Sequence, residues 1–345
     1  MRLGQNIIIG FEGTHPNDPA VIEVSRLIES GLIGGLIFFK YNILSPTQVQ
    51  NLTRHFRSLS APQPLILSVD QEGGRVERLN VSNGFKSHPS ALQIATLKDM
   101  DQAKSEYKSM AEMVRESGFN LVFGPVVDHH DEACPIIGQY KRAYGSSVSE
   151  ITPYAEAFVE SFRREGILTC LKHFPGHGSS CSDSHVGFVD VTSQWTEDEL
   201  LPFKEMIRTG HTDMVMTAHV WHKDIDASHP ASLSNTWINE ILRSKLNYSG
   251  VVITDDLYMG AIMHYASLKD AVARSFLAGG DIALLSMNAA ARLNSESLTN
   301  EPIPSIKSIL NHLDHMIDTE KLSLPLIEAS VSRVLSLKSF FSSSH

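Results

Sequence analysis

Cysteine is scarce in this chain, with three among 345 residues. Cys134, Cys170 and Cys181 form an odd set without a CxxC pair. That argues against a disulfide framework or a four-cysteine zinc site, and it fits a reducing compartment. A basic excess is also missing. The 29 Lys and Arg stand against 39 Asp and Glu, a net charge of −10, which is the wrong sign for a general nucleic-acid binder. No apolar run approaches the roughly 18–20 residues needed to cross a bilayer, so no membrane partner is expected. The opening residues, MRLGQNIIIG, run into a strand without a long apolar leader and a small-residue cleavage site, and a cytoplasmic location is the expectation. No GxGxxG or P-loop follows the first strand, and no cofactor is expected. No Pro/Ser-rich linker divides the sequence, so residues 1–345 are expected to form one domain.

What is present is ordinary for a full core: 42% hydrophobic and 20% charged residues. Short apolar runs predict strands over Asn6–Gly10, Gly35–Phe39, Pro64–Asp70, Asn120–Val127, Ile167–Lys172, Asp213–His219, Gly250–Asp255 and Asp281–Ser286. Amphipathic stretches between them predict helices over Asp18–Gly31, Thr47–Ser58, Met100–Ser117, Pro153–Glu165, Glu197–Thr209, Asn235–Leu246 and Leu268–Ala278, with Leu326–Phe341 closing the chain. Alternating strands and helices imply parallel pairing through crossovers, and continuously apolar strands imply burial on both faces. Eight such units favour an α/β fold of the (β/α)8 barrel type over a doubly wound sheet.

Polar residues recur at the C-terminal ends of these strands: Asp70, Asp128 with His129 and His130, Lys172 with His173, His219, and Asp255 with Asp256. In a barrel those ends converge on one mouth, where active sites sit. Successive strand residues point to opposite sides, so only one of Asp255 and Asp256 can aim into the mouth; we read Asp255 as that one. Asp183-Ser184-His185 sets a carboxylate two residues before an imidazole, a spacing that lets the carboxylate fix the tautomer while the other nitrogen exchanges a proton. Lys172 and His173 can donate to neutral hydroxyls, clamp a phosphate or stabilise the strand end. Gly73-Gly74 permits a sharp turn that brings Asp70 and a following arginine, Arg75 or Arg78, to one pocket. Arg142 lies on a loop, where an isolated arginine is usually solvated. His173, His177, Cys181, Asp183 and His185 form a dense set of possible metal ligands, but the strand ends lack an HxH pair, and no metal is expected.

Residues 172–185 (KHFPGHGSSCSDSH) and 253–259 (ITDDLYM), with Gly10–Gly13, Gly34–Phe39 and Val69–Arg78, resemble glycoside hydrolase family 3 β-N-acetylglucosaminidases nearly end to end. The resemblance implies a (β/α)8 barrel and an exo-acting, retaining hydrolase that removes terminal N-acetylglucosamine. It assigns Asp255 as nucleophile, His185 as acid/base and Asp183 as its partner. It makes Asp70, Arg78, Arg142, Lys172 and His173 the sugar-binding residues. Without a secretory signal it points to muropeptide turnover in peptidoglycan recycling, with a small carbohydrate, an N-acetylglucosaminide or muropeptide, as the substrate. A β-glucosidase or broader exo-glycosidase of the same family is the alternative. A metal-dependent barrel hydrolase and a catalytically silent sugar binder are the readings from other classes. The arginine loop departs from the family pattern, with two extra residues between Gly138 and Arg142.

Overall fold

The computed structural model describes residues 2–180, 189–287 and 304–342. Eight parallel strands form one sheet: β1 (Ile7–Ile9), β2 (Gly35–Phe38), β3 (Ile66–Val69), β6 (Leu121–Val122), β7 (Leu168–Phe174), β8 (Met214–Thr217), β9 (Val251–Thr254) and β10 (Ala283–Leu285). They pair in the order β10-β1-β2-β3-β6-β7-β8-β9. A bridge between Ile253 and Ile282 brings the two ends of that order together. The Thr254 N–H donates to Ile282 O at 3.0 Å and the Leu257 N–H to Leu284 O at 3.0 Å, so the sheet curls into a barrel. The remaining two strands, β4 (Gln71–Gly73) and β5 (Val76–Glu77), make a small antiparallel hairpin just past β3.

Two apolar layers follow from the period of two along each strand. One side chain of each pair points into the barrel, where Ile8, Ile37, Ile66, Leu121, Leu168, Cys170, Met214, Val251 and Ile253 pack together. Their neighbours, such as Leu36, Leu67, Val215 and Val252, face the surrounding helices. The helix Leu324–Ser342 lays Val334, Leu337, Phe340 and Phe341 across the barrel interior's cluster and so closes one end. The other end carries the strand C-termini.

The predicted elements shift at three places. The strand expected over Asn120–Val127 is regular only at Leu121–Val122 and resumes as a single bridge from Val126 to Lys172. Pro125 has no N–H to give to a ladder, which accounts for the interruption. The helix expected from Pro153 begins at Val148 and runs to Arg164 with the proline inside it. Pro153 lies close enough to the start that few backbone bonds are lost, and Thr152 Oγ1 donates to Val148 O at 2.9 Å in the same turn. The segment Thr236–Lys245 winds as a π-helix.

Candidate active site

Three inward columns continue past the barrel's apolar interior into charge. Ile66 and Ser68 lead to Asp70, Leu168 and Cys170 to Lys172, and Val251 and Ile253 to Asp255. Each acid or base is the next inward step of a buried strand, so its backbone is fixed by the ladder below it. The charges of Lys172, Asp255 and Asp70 all reach the Cys170 thiol beneath them, whose pKa burial drives upward. The Asp255 N–H donates to Thr217 O at 2.9 Å, and Asp255 Oδ1 accepts the Asp256 N–H at 2.8 Å.

Asp256 takes the opposite direction. Its Oδ1 accepts the N–H groups of Tyr258 at 3.1 Å and Ser286 at 2.8 Å, pinning the turn after β9 to the end of β10. Burial raises its pKa to about 6. Beside it, the buried His219 places Nε2 3.0 Å from Asp256 O and Nδ1 2.7 Å from Ser232 Oγ, a brace on the backbone that presents Asp255.

The hairpin β4–β5 returns Arg78 to the mouth. Gly73 and Gly74 have φ of 92° and 63°, and a Cβ on Gly73 would sit 2.3 Å from Pro89 O, so glycine is required there. Buried Gln71 locks the return: its Oε1 accepts the N–H groups of Arg78 and Leu79 at 3.1 and 3.0 Å, and its Nε2 donates to Leu79 O at 3.1 Å. Arg78 Nη2 then reaches Asp70 Oδ2 at 2.9 Å. Arg75 turns away and lies over the Tyr140 ring at 3.8 Å. Asp70 Oδ1 accepts from Lys172 Nζ at 3.0 Å. Burial alone would raise the pKa of Asp70, but Lys172 and Arg78 reverse that and hold it below the usual carboxylate range.

Two further residues organise this cluster: Glu72, which sequence reasoning missed, and Asp128, which it placed at a strand end without a role. Glu72 bonds Arg142 in a fork, Nε to Oε2 and Nη2 to Oε1, both at 2.8 Å, and its Oε1 lies 2.6 Å from Lys172 Nζ. Its pKa falls to about 2, since the opposing charges of Arg142 and Lys172 outweigh burial. Arg142 is therefore not a solvated loop arginine: its side chain is 9% exposed and also donates to Ile136 O at 3.1 Å. Asp128 is the second. Its Oδ2 is 2.6 Å from His173 Nδ1, and its Oδ1 accepts the N–H groups of His173 at 3.1 Å and His177 at 3.0 Å. The proton of His173 is thereby assigned to Nδ1, and Nε2 faces Arg142 Nη2 at 3.3 Å as an acceptor. The peptide between Lys172 and His173 is cis.

Donor counting shows what remains for a ligand. Lys172 has three ammonium hydrogens and gives one each to Asp70 and Glu72. Arg142 has five N–H groups, of which two meet Glu72, one faces His173 and one meets Ile136. Among the described residues one N–H on each cation stays available, next to the open lone pairs of Asp70. Neutral hydroxyls are matched by such a set of fixed donors and acceptors.

His177, which begins the loop toward residue 181, is buried, and its pKa falls to about 4 through burial and the neighbouring His173. Its Nδ1 lies 2.7 Å from Ser180 Oγ, and the charge of Asp255 reaches it. Asp183, His185 and Cys181 lie outside the described residues. His129 and His130 line a neighbouring cavity of about 470 Å³ together with Glu199, whose pKa burial raises to about 7. Among the described residues no group of three or more His, Cys, Asp or Glu is placed to hold a metal ion.

The family model for the glycosyl hydrolase family 3 N terminal domain matches residues 14–337. Beta-hexosaminidase A of Pseudoalteromonas piscicida is 30% identical over 337 residues, which cover 92% of this chain and 55% of that protein. A beta-hexosaminidase of Actinobacillus pleuropneumoniae serotype 3 (strain JL03) is 35% identical over 277 residues, 76% of each chain. The structure of a glycoside hydrolase family 3 beta-N-acetylglucosaminidase from Paenibacillus sp. str. FPU-7 superposes with a TM-score of 0.87 at 31% identity, covering 100% of this chain and 62% of that one. The chain thus spans little more than half of the Pseudoalteromonas protein and under two thirds of the Paenibacillus one.

Proposed function

The chain belongs to glycoside hydrolase family 3, and from that membership and the charged mouth of its barrel we propose that it is an exo-acting, retaining β-N-acetylglucosaminidase. The carrying observation is the inward column Val251–Ile253–Asp255, which aims a carboxylate over the same interior as Asp70 and Lys172. Asp255 attacks the anomeric carbon and forms a covalent glycosyl ester. His185 protonates the leaving oxygen and then draws the proton from water, with Asp183 holding its tautomer. Asp70, Arg78, Arg142, Lys172 and His173 grip the sugar hydroxyls, and the donors left over on Lys172 and Arg142 support that assignment. A retaining glycosidase ordinarily sets two carboxyl groups about 5–5.5 Å apart; here an imidazole takes the second role.

The same proposal gives the chain one catalytic barrel and places its work in the cytoplasm, on muropeptides released from peptidoglycan. The likeness of KHFPGHG…DSH to that family is its support.

The test is trapping. A 5-fluoro N-acetylglucosaminyl fluoride should label Asp255, located by peptide mass mapping, and Asp255→Asn should lose on the order of 10⁴-fold in kcat. A label on any other residue overturns the assignment. Faster turnover of the chromogenic glucoside than of the N-acetylglucosaminide would move the activity to the β-glucosidase alternative. Turnover of N-acetylglucosaminyl-1,6-anhydro-N-acetylmuramic acid tests the muropeptide substrate.

A further inference from the structure

Three cations of the sugar-binding cluster share two carboxylates. Arg78 meets Asp70, Lys172 meets both Asp70 and Glu72, and Arg142 meets Glu72, while Asp128 holds His173 Nδ1. Among the described residues, Glu72 is the carboxylate that bonds Arg142, and it shares Lys172 with Asp70. Asp70 and Glu72 each meet two cations, and Glu72 is the more enclosed of the two. Asp70 has lone pairs open to a ligand, and Asp128 is spent on His173 and two backbone N–H groups. Glu72 meets two cations at once, and its side chain is 5% exposed, so it is poorly placed to touch a sugar.

We infer that Glu72 is a specificity-determining residue: by cancelling the charge of Arg142 and Lys172 it makes the pocket select neutral sugar rings and reject rings carrying a carboxylate or phosphate. Two uncancelled cations at this depth would attract any anion that fits, because charge interactions strengthen out of water. With Glu72 between them, Arg142 and Lys172 each offer a single directed N–H, enough for a hydroxyl, while Asp70 repels an anionic substituent nearby. Glu72 also sets the spacing of the two cations, acting as a positioning residue for both. The inference rests on the glycosidase reading above, which supplies the sugar.

The experiment compares N-acetylglucosamine with its uronic acid, in which a carboxylate replaces the CH2OH group, by calorimetric binding to the full chain and to Glu72→Gln. The parent should prefer the neutral sugar by at least about tenfold. In Glu72→Gln that preference should move toward the anion by at least about tenfold, and the gain should shrink as salt rises from about 0.05 to 0.5 M. An unchanged ratio in a folded Glu72→Gln protein overturns the inference. Should the variant fail to fold, the parent decides: in a balanced pocket the anion's affinity stays flat with salt, and a fall of more than about threefold over the same range refutes the balance. Failure of the parent to bind N-acetylglucosamine at all would sink the glycosidase reading itself. Binding of the neutral sugar with no shift in Glu72→Gln would sink the charge-balance inference alone.

Discussion

Two lysines lie equally deep at opposite ends of the barrel, and their surroundings could hardly differ more. Lys172 at the mouth is 2% exposed, and Lys338 in the helix Leu324–Ser342 is 1% exposed. Lys172 meets the carboxylates of Asp70 at 3.0 Å and Glu72 at 2.6 Å. Among the described residues Lys338 meets only neutral oxygens, Gln5 Oε1 at 2.6 Å and Gly34 O at 2.8 Å. Burial disfavours the charged amine in both. At Lys172 the two carboxylates overcome that and raise its pKa; at Lys338 nothing does, and its pKa falls to about 7. Burial alone thus says little about an amine's charge. The mouth is built to keep charge out of water, and the floor is built to close an apolar barrel.

The largest effect is expected where that charge is held. Lys172→Met leaves Asp70 and Glu72 buried with one cation each, and it should cost about 3–5 kcal/mol of stability at neutral pH along with the activity. Asp70 and Glu72 have depressed pKa values in the parent, so they add stability above the ordinary carboxylate range and lose it as pH falls. Their depression depends on Lys172, so the gap between parent and variant in urea midpoints should narrow from pH 7 to pH 4. A gap that stays constant would show that Lys172 acts through packing.

Asp128→Asn comes next, at about 1–3 kcal/mol for the buried partner left without its bond. An amide opposite His173 Nδ1 offers a donor where the ring now donates, which favours the tautomer with its proton on Nε2, against Arg142. ¹⁵N shifts of His173 should report the switch, with weaker N-acetylglucosamine binding. Unchanged ring shifts would remove Asp128 from the role of orienting His173.

Much of this mouth was legible because strand ends announce themselves. Asp70, Lys172 and Asp255 each follow an apolar run, and the eightfold alternation gave the barrel that gathers them. The phase of each strand was less visible. Val251, Val252, Ile253 and Thr254 are all buried, so composition could not say which face is the interior, and the choice of Asp255 over Asp256 rested on strand alternation and on resemblance. Glu72 escaped because it sits on an antiparallel hairpin that the strand–helix rhythm does not forecast. Its partner Arg142 is 70 residues away, on a loop whose extra residues obscured the match. Asp128 was visible at a strand end, but its partner His173 lies 45 residues on. Pairings at that distance belong to the closed barrel and to no local pattern.

The smallest effect on activity is expected at the floor, where Lys338→Met removes an amine whose charge burial disfavours. In the folded chain its pKa of about 7 lies below the ordinary 10.5, so between those values the unfolded chain binds more protons. Stability of the parent should therefore rise with pH across that window, by up to about 1.4 kcal/mol per pH unit from this group. Below the window both states hold the proton and the cost of burying the charge is felt in full. Methionine abolishes that cost but leaves Gln5 Oε1 and Gly34 O without their donor, a loss of about 1–3 kcal/mol. The two changes oppose each other, and near pH 7 the charge cost, up to about 4–5 kcal/mol across this window, outweighs the lost bonds, so the variant should be the more stable with turnover intact. The informative quantity is the slope: urea unfolding from pH 7 to 10 should flatten in Lys338→Met relative to the parent. Parallel slopes would mean that the floor lysine is held charged after all, and the contrast between the two ends of the barrel would collapse.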